Sequence, residues 1–237
     1  MAINTSSRDN SILSRCDPRF GDSADEVTFR AGDVILRANQ TTSHAYFPET
    51  VVATFVRRLV DGNTIEAGIV GFEGVIGVEA MFSATAQPSD VIVQVTGTAV
   101  RVPVSAACLV FEADREFRGL VLRFANAFTL QISQTVACNW FHSLEHRLAR
   151  WLLKVADRVR PADQAMPIEI SLTQEFLASM LGTRIASVNE AISTLTASGL
   201  IRHRRHLIEI IDRSALEGAA CECYATVRAL YARDKVM

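Results

Sequence analysis

The sequence predicts an α+β fold in which a β-rich first half is followed by one long helix and a smaller helical domain. Five of the 12 glycines crowd between residues 62 and 77, among short runs of β-branched residues. No proline lies between Pro103 and Pro161, and two short segments of helical spacing follow Pro167. Turn-forming residues are frequent early and scarce in the middle, which separates a region of strands from a region of helices.

Short strands account for the first half. Pairs of apolar runs flank the glycine turns at residues 61–63 and 96–98, and each pair predicts a hairpin. A third glycine turn at residues 31–33 separates two shorter runs. The predicted strands are 27–29, 34–36, 51–60, 64–70, 91–95 and 99–102. Closely spaced strands with glycine turns predict a small sandwich or roll over residues 1–112.

The long helix is predicted at residues 113–141, where apolar residues recur at helical spacing from about Phe117 to Phe141. One stripe comprises Leu120, Phe124, Ala127, Gln131, Gln134, Cys138 and Phe141, and a second comprises Val121, Phe128, Ile132 and Thr135. One stripe can cover the roll, and the other then needs a partner, for which the same helix of a second copy is the simplest candidate. We therefore predict a dimer interface on the first stripe. The alternative is a helix wholly buried inside one domain.

Residues 142–237 are predicted to form the second domain. An amphipathic helix from Leu144 to Val159 ends at Arg160-Pro161. Thr173 is predicted to cap the next helix, which ends at Gly182, and Thr183 to cap a further one. That last helix has a buried stripe of Val188, Ala191, Ile192 and Leu195. Two strands then flank the basic segment 202–206, and one packing helix runs from Ala215 to Tyr231. Helix, glycine turn, helix and a two-stranded wing make a winged helix-turn-helix.

The second helix of this motif has a polar face that can bond to base edges or phosphates. Arg184 suits a guanine and Asn189 an adenine, while the arginines of the wing suit phosphates. The candidate DNA-contacting residues are Thr173, Gln174, Thr183, Arg184, Ile185, Ser187, Asn189, Glu190, Ser193, Arg202, Arg204 and Arg205. The alternative is an ordinary helical hairpin with a solvated polar face.

Charge is unevenly distributed although the formal net charge is only −2. Residues 1–110 carry 8 basic and 12 acidic groups, whereas the segment 202–206 holds three arginines and no acid. This distribution predicts a polyanionic partner for the C-terminal part.

Other classes of function find little support. The longest apolar run, Ala106–Phe111, is far shorter than the about 20 residues of a membrane span, and the polar N-terminus lacks the core of a secretory signal. We therefore expect a cytoplasmic protein without a membrane partner. No nucleophile–base pair or phosphate loop has the required spacing, so we predict no catalytic residue and no enzyme.

No cofactor is identified, and no metal site is predicted. The five cysteines are scattered and are expected to be reduced. Cys221 and Cys223 on one helix would point about 200° apart, which suits neither a disulfide nor a chelate. His142 and His146 have a spacing that can bind a metal, but without a third ligand nearby we expect a solvated face.

These motifs together resemble the Crp/Fnr superfamily of bacterial transcription regulators over nearly the whole chain. The segments that carry the resemblance are 28–33, 46–48, 71–77, 139–153, 172–188 and 199–201. The resemblance implies an N-terminal cyclic-nucleotide-binding-like β-roll (a double-stranded β-helix, cupin-like), a long dimerisation helix and a C-terminal winged helix-turn-helix. It also implies binding of double-stranded DNA at a two-fold operator by a homodimer, with RNA polymerase as a further candidate partner.

The sequence departs from the superfamily's pattern in three places. Its cyclic-nucleotide binders place a glycine–glutamate pair and a later arginine–serine pair around the cyclic phosphate. Here Val78 and Pro88 replace the glutamate and the arginine, so the bidentate clamp is missing and we expect no binding of cyclic AMP. The candidate pocket for an unknown small-molecule effector comprises Gly77, Val78, Glu79, Pro88 and Ser89. The family's common base-contacting residues would fall on Ile185, Ala186 and Glu190, so the operator sequence should differ from the family's usual one.

Cys16 alone cannot supply the cysteine cluster of the family's oxygen sensors.

The leading hypothesis is therefore a homodimeric, sequence-specific transcription regulator. The alternative is an effector-binding regulatory subunit that acts through protein contacts without binding DNA.

Overall fold

The computed structural model of the protein describes residues 12, 19–82, 86–159 and 168–233. Cys16, Arg160-Pro161 and Pro167, on which parts of the sequence analysis rest, lie outside these ranges. The fold class is confirmed as α+β, with strands first, then a long helix, then a helix-turn-helix. In the described ranges, no helix is long and apolar enough to span a bilayer.

Ten strands are present in the described residues: β1 (Asp25–Phe29), β2 (Val34–Leu36), β3 (His44–Pro48), β4 (Val52–Arg58), β5 (Thr64–Val70), β6 (Asp90–Val95), β7 (Gly97–Pro103), β8 (Ile168–Ser171), β9 (Ile201–Arg204) and β10 (Leu207–Ile210). They form three sheets, with strand orders β1-β7-β3, β2-β6-β4-β5 and β8-β10-β9. The predicted hairpin at residues 61–63 is confirmed, because β4 and β5 are neighbours in one sheet.

The second predicted hairpin, at residues 96–98, is wrong. Strand β6 pairs within the four-stranded sheet, whereas β7 lies between β1 and β3 in the other sheet of the roll. A Cβ on Gly97 would lie 2.3 Å from the backbone nitrogen of Val51, so the chain passes closely under another segment as it changes sheets. Residue 97 is glycine because the backbone of Val51 leaves no room for a side chain, and not because a hairpin turn requires it.

The helices are α1 (Glu79–Phe82), α2 (Val104–Ala113), α3 (Arg115–Phe141), α4 (Leu144–Val159), α5 (Gln174–Leu181), α6 (Ile185–Ala197), α7 (Arg213–Ala219) and α8 (Cys223–Arg233). The long helix and the amphipathic helix after it are confirmed. The single tail helix predicted from Ala215 to Tyr231 is wrong, since residues 220–222 interrupt it and Cys221 lies in the break.

The chain divides into two compact units. The first contains the described residues up to Phe55, residues 70–129 and the described residues from Tyr231 onward; the second contains Val56–Ile69 and Leu130–Leu230. Helix α3 therefore passes from one unit to the other. The three-part division into residues 1–112, 113–141 and 142–237 stays a proposal.

The core of the first unit lies between the two sheets of the roll and under α3. Val51, Val93 and Ala99 form a buried cluster to which both sheets contribute. From α3, Phe124 packs so closely that a Cβ on Gly74 would lie 2.3 Å from its ring. Phe128, one turn further along, packs on Phe55 with ring centroids 4.9 Å apart.

The second unit is built around α4, whose apolar face is fully buried through Leu148, Leu152 and Leu153. This helix also buries charge. Lys154 Nζ lies 2.6 Å from Glu66 Oε1, and Trp151 Nε1 donates a hydrogen bond of 2.8 Å to the other carboxylate oxygen. Burial lowers the pKa of Lys154 to about 8, although the charge of Glu66 opposes this shift. Burial would raise the pKa of Glu66, but Lys154 and the Trp151 hydrogen bond outweigh burial and lower it.

Candidate nucleic-acid interface

The first helix of the motif has defined ends. Thr173 caps α5 as predicted, because its hydroxyl accepts a hydrogen bond of 3.1 Å from the backbone nitrogen of Phe176. Gly182 ends the helix in the left-handed conformation with φ of 60°. Thr183 N then donates to Ala178 O at 3.0 Å, as in a helix C-cap. Glycine is needed here because a side chain would also meet Ile65, 2.7 Å from the Cβ position.

The second helix, α6, begins at Ile185, with Arg184 in the N-cap position and no side-chain capping bond. The prediction that Thr183 caps this helix is wrong, because its backbone completes the end of α5 and the turn is one residue longer. The predicted core stripe of Val188, Ala191, Ile192 and Leu195 is confirmed as buried.

The opposite side of α6 faces outward. Arg184, Ile185, Glu190 and Ser193 are exposed, while Ser187 and Asn189 are half-buried. The carboxamide oxygen of Asn189 is buried without a hydrogen-bond partner among the described residues. The structure thus gathers the predicted residues of α6 on one accessible face, with Asn189 at its edge. Ahead of them, Thr173 is exposed and Gln174 is half-buried at the start of α5.

The wing follows directly. Strands β9 and β10 pair antiparallel, with Arg204 opposite Leu207, and β8 adds a third strand that the sequence did not predict. Arg202 is paired with Glu209 at 2.7 Å, which offsets its charge. Arg204 and Arg205 are exposed at the tip and form no ion pair within the part of the chain that the structure describes. Arg205 has a φ of 45°, in the left-handed region that a non-glycine residue seldom adopts.

The tip of the β4–β5 hairpin lies against the turn between α5 and α6. Thr64 shares a hydroxyl hydrogen bond with Ser179 of α5. Together with Leu59 and Asn63, the hairpin forms one wall of a groove of 740 Å³ whose other wall includes Arg184 and Ser187. No local pattern indicates this packing, because the two segments are more than 110 residues apart. The exposed residues Ile185, Glu190 and Ser193 do not line this groove.

Of the predicted effector residues, Gly77, Val78 and Glu79 lie at the start of α1, and Pro88 and Ser89 lie just before β6. Gly77 has a φ of 85°, and a Cβ there would lie 3.0 Å from the carbonyl oxygen of His44. Val78 and Ser89 are buried, Pro88 is exposed, and burial raises the pKa of Glu79. Each polar atom of the buried Gln94 side chain lacks a hydrogen-bond partner within the described residues, a feature that the sequence analysis missed.

The residues predicted for the dimer interface require a correction. Phe124, Ala127, Gln131 and Cys138 have no accessible surface in the single chain, so they cannot contact a second copy. Gln131 instead donates a hydrogen bond of 3.1 Å to Ile69 O, and Gln134 one of 3.0 Å to Cys223 Sγ. Leu120 is half-buried. The large apolar side chains that α3 exposes are Leu122, Val136, Trp140 and Phe141.

The expectation that Cys221 and Cys223 diverge is also wrong. Because Cys221 precedes α8, the helical angle between the two residues does not apply, and both approach Cys138 and His142. His146 is exposed, as expected, but His142 is half-buried against Cys223. The available signals were the i,i+4 spacing of Cys138 and His142 and the Cys-x-Cys spacing at 221–223, which the sequence analysis did not combine.

Comparisons with known proteins agree with this geometry. Residues 146–219 match the family model of the Crp-like helix-turn-helix domain. A CRP/FNR-family transcriptional regulator of Thermus thermophilus is 20% identical with a TM-score of 0.66, and the match covers 83% of this chain and 98% of that one. FixK2 of Bradyrhizobium japonicum is 16% identical with a TM-score of 0.69, covering 84% and 98%.

A third structure, the c-di-GMP-responsive global regulator CLP of Xanthomonas campestris, is 13% identical with a TM-score of 0.65, over 82% of this chain and 97% of that one. No curated protein sequence matches the chain. The resemblance noted in the sequence is thereby confirmed at the level of the fold: the chain has the fold of the CRP/FNR-family structures, and its residues 146–219 match the model of the Crp-like helix-turn-helix domain.

Proposed function

We propose that the protein is a homodimeric, sequence-specific transcription regulator that places α6 in the major groove and the wing against phosphates. The observation that carries this proposal is the combination of an accessible polar face on α6 with two wing-tip arginines, Arg204 and Arg205, that have no ion-pair partner among the described residues. Exposed guanidinium groups without carboxylate partners favour a polyanion.

Base contacts and phosphate contacts divide between the two elements. Arg184 leads into α6, where side chains of a recognition helix reach base edges, and its guanidinium can bond a guanine through two atoms. Ser187, Asn189, Glu190 and Ser193 complete that face. The wing arginines, together with Thr173, Gln174 and Thr183 around α5, suit backbone phosphates, which fix register without reading sequence.

Dimerisation is assigned to the exposed end of α3 rather than to its buried stripe. Val136, Trp140 and Phe141 are 67%, 81% and 77% exposed. They border an apolar groove of 540 Å³ that is also lined by Ile132 and Ile65. An exposed aromatic patch of this kind marks an interface, and a two-fold dimer matches a palindromic operator.

The roll residues Gly77, Val78, Glu79, Pro88 and Ser89 retain their place as the candidate pocket, and the lack of an arginine at residue 88 argues against a cyclic phosphate. RNA polymerase is the partner that a DNA-bound activator would need. We propose no enzymatic activity, in keeping with structural relatives that are named as transcriptional regulators.

A genomic binding experiment tests the proposal. Purified protein is mixed with sheared genomic DNA, and the bound fragments are sequenced and confirmed by mobility shift at two salt concentrations. We expect a few sites with two-fold symmetry, with half-sites about one helical turn apart. Binding of all fragments alike, or of none, would contradict it and favour the regulatory-subunit alternative.

A further inference from the structure

Four side chains with metal-binding atoms converge in the second unit. Cys138 lies in the last turn of α3, His142 follows one residue after its end, and Cys221 and Cys223 flank the start of α8. Their three sulfur atoms and one ring nitrogen all lie within 4.8 Å of one another. We call these four residues the Cys3His cluster. Its members come from two regions of the chain about 80 residues apart, so the fold itself brings them together.

The distances within the cluster suit one small ion. Cys138 Sγ lies 3.5 Å from Cys221 Sγ, and Cys223 Sγ lies 3.5 Å from His142 Nδ1. A tetrahedral zinc ion with its usual bond lengths holds two sulfurs about 3.8 Å apart and a sulfur and a nitrogen about 3.6 Å apart. The ligand atoms of these two pairs therefore need to move by only a few tenths of an ångström. A cluster of two or four irons would spread its ligands over separate metal atoms and hold them farther apart.

The surrounding residues orient the proposed ligands. Glu222 Oε1 lies 3.2 Å from His142 Nε2, where it can accept a hydrogen bond from that nitrogen, while Nδ1 lies on the side of the sulfurs, 3.5 Å from Cys223 Sγ. A carboxylate behind a histidine in this way is the usual support of a metal-bound imidazole. Gln134 Nε2 donates to Cys223 Sγ at 3.0 Å and so fixes the position of that sulfur.

Two guanidinium groups near the cluster suit the negative charge that three metal-bound thiolates would bring. Arg150 is only 3% exposed, its Nε has no hydrogen-bond partner within the described residues, and its charge acts on Cys138. Arg147 interacts electrostatically with Cys138 and Cys221. Three thiolates and a divalent ion carry a net charge of −1, which two nearby guanidinium groups offset.

We propose that Cys138, His142, Cys221 and Cys223 bind one zinc ion in a closed, structural site. Four protein ligands leave no open position, and cysteine and histidine in this ratio are typical of structural zinc rather than of catalytic zinc. The ion would tie the end of α3 to the segment that opens α8. Binding releases the protons of the three thiols to solvent and needs no oxidant or reductant.

Metal analysis and cobalt substitution of the full chain test the proposal. Protein purified under reducing conditions with zinc in the medium should contain about one zinc per chain by mass spectrometry. Replacement by cobalt should give the intense visible bands of a tetrahedral site and a near-ultraviolet thiolate-to-cobalt band. Cys108→Ser is the matched control, since this cysteine lies outside the cluster, and it should retain the metal and the spectrum.

Variants of the cluster distinguish the site from adventitious binding. Cys221→Ser should lower zinc affinity at least tenfold relative to Cys108→Ser. Glu222→Gln keeps every ligand and should weaken binding about 10–100-fold, which separates loss of metal from failure to fold. Three results would each overturn the proposal: reduced protein without stoichiometric metal, equal zinc binding by Cys221→Ser and the control, or an iron–sulfur absorption spectrum. Recovery of Cys138 and Cys221 as a disulfide from metal-replete, reduced protein would likewise overturn it.

Discussion

Glu66 is a buried carboxylate that offsets the charge of several cations. It bonds Lys154 and Trp151, and the charges of Arg150 and Arg158 act on Lys154 as well. Glu66→Gln leaves Lys154 buried without the carboxylate that it pairs with, which costs about 3–5 kcal/mol in the free energy of unfolding. Urea denaturation at pH 7 measures the change. Asp25→Asn is the control, because Asp25 pairs with Arg101 at an exposed site where such a pair contributes about 0–1 kcal/mol.

The contribution of Glu66 to the free energy of unfolding should also depend on pH. The pKa of Glu66 is lowered in the folded state from an ordinary value of 4.5. Its stabilising contribution is therefore complete above about pH 4.5 and is lost as the pH falls through the folded pKa. The difference in stability between the native chain and Glu66→Gln should narrow in acid. A difference that stays constant from pH 7 to pH 3, or a cost no larger than that of Asp25→Asn, would contradict this role for Glu66.

Because of Val78 and Pro88, we expect the roll not to bind cyclic nucleotides. Val78 is buried, and Pro88 offers no hydrogen-bond donor to a phosphate. Titration calorimetry with cyclic AMP should therefore detect no saturable binding at micromolar concentration. Saturable micromolar binding would mean that other residues of the roll bind the phosphate, and it would reopen the assignment of the pocket.

Individual residues were predictable where one local rule decides their place. Thr173 at the start of α5, Gly182 after it and the buried stripe of α6 follow from capping, backbone conformation and helical spacing. The Cys3His cluster was missed because its geometry depends on the break at residues 220–222, which the regular spacing from Ala215 to Tyr231 conceals. The burial of Glu66 could not be predicted from the sequence either, because its partner Lys154 lies 88 residues away in the chain.

At the scale of elements, the sequence predicted helices better than strand pairing. The bounds of α4, β2 and β5 agree with the predicted ones, whereas β6 and β7 were wrongly paired because glycine at residue 97 serves a close approach rather than a turn. The sequence predicted helix α3 itself, but it did not predict which residues of the helix are exposed. Both of its apolar stripes are largely buried in one chain, and only the packing of the surrounding elements determines this.

We propose the exposed end of α3 as the dimer interface, so a charge introduced there should prevent dimerisation. Trp140→Glu places a charge in the middle of the proposed interface, so the chain should sediment as a monomer at micromolar concentration, where the native chain sediments as a dimer. Leu109→Glu is the matched control, because Leu109 is a comparably exposed apolar residue on α2 and should leave the dimer intact. A native chain that is monomeric, or a Trp140→Glu chain that is as dimeric as the control, would contradict the assignment.

The molecule combines the strands of a β-roll with a segment, residues 146–219, that matches the Crp-like helix-turn-helix domain, and helix α3 has residues in both compact units. The fold class could be predicted because glycine turns, helical spacing and capping residues all pointed to the same arrangement. The pairing of the sheets and the packing of the β4–β5 hairpin on the turn at Gly182 depend on residues distant in sequence, and local patterns do not contain them.

The central claim is that α6 contacts bases and the wing contacts phosphates. The most direct test measures how tightly single-arginine variants bind an operator and random DNA over a range of salt concentrations. Arg184→Ala should cost about 1–3 kcal/mol per half-site on the operator and relax the preference at one base pair. Arg205→Ala should weaken binding to all sequences alike and reduce the slope of log affinity against log salt by about 0.9 for each phosphate that this arginine neutralises. Arg30→Ala, which removes an exposed arginine of the roll, should change neither. If Arg205→Ala changes base preference while Arg184→Ala leaves it intact, or if both behave like Arg30→Ala, the assignment of helix and wing is contradicted.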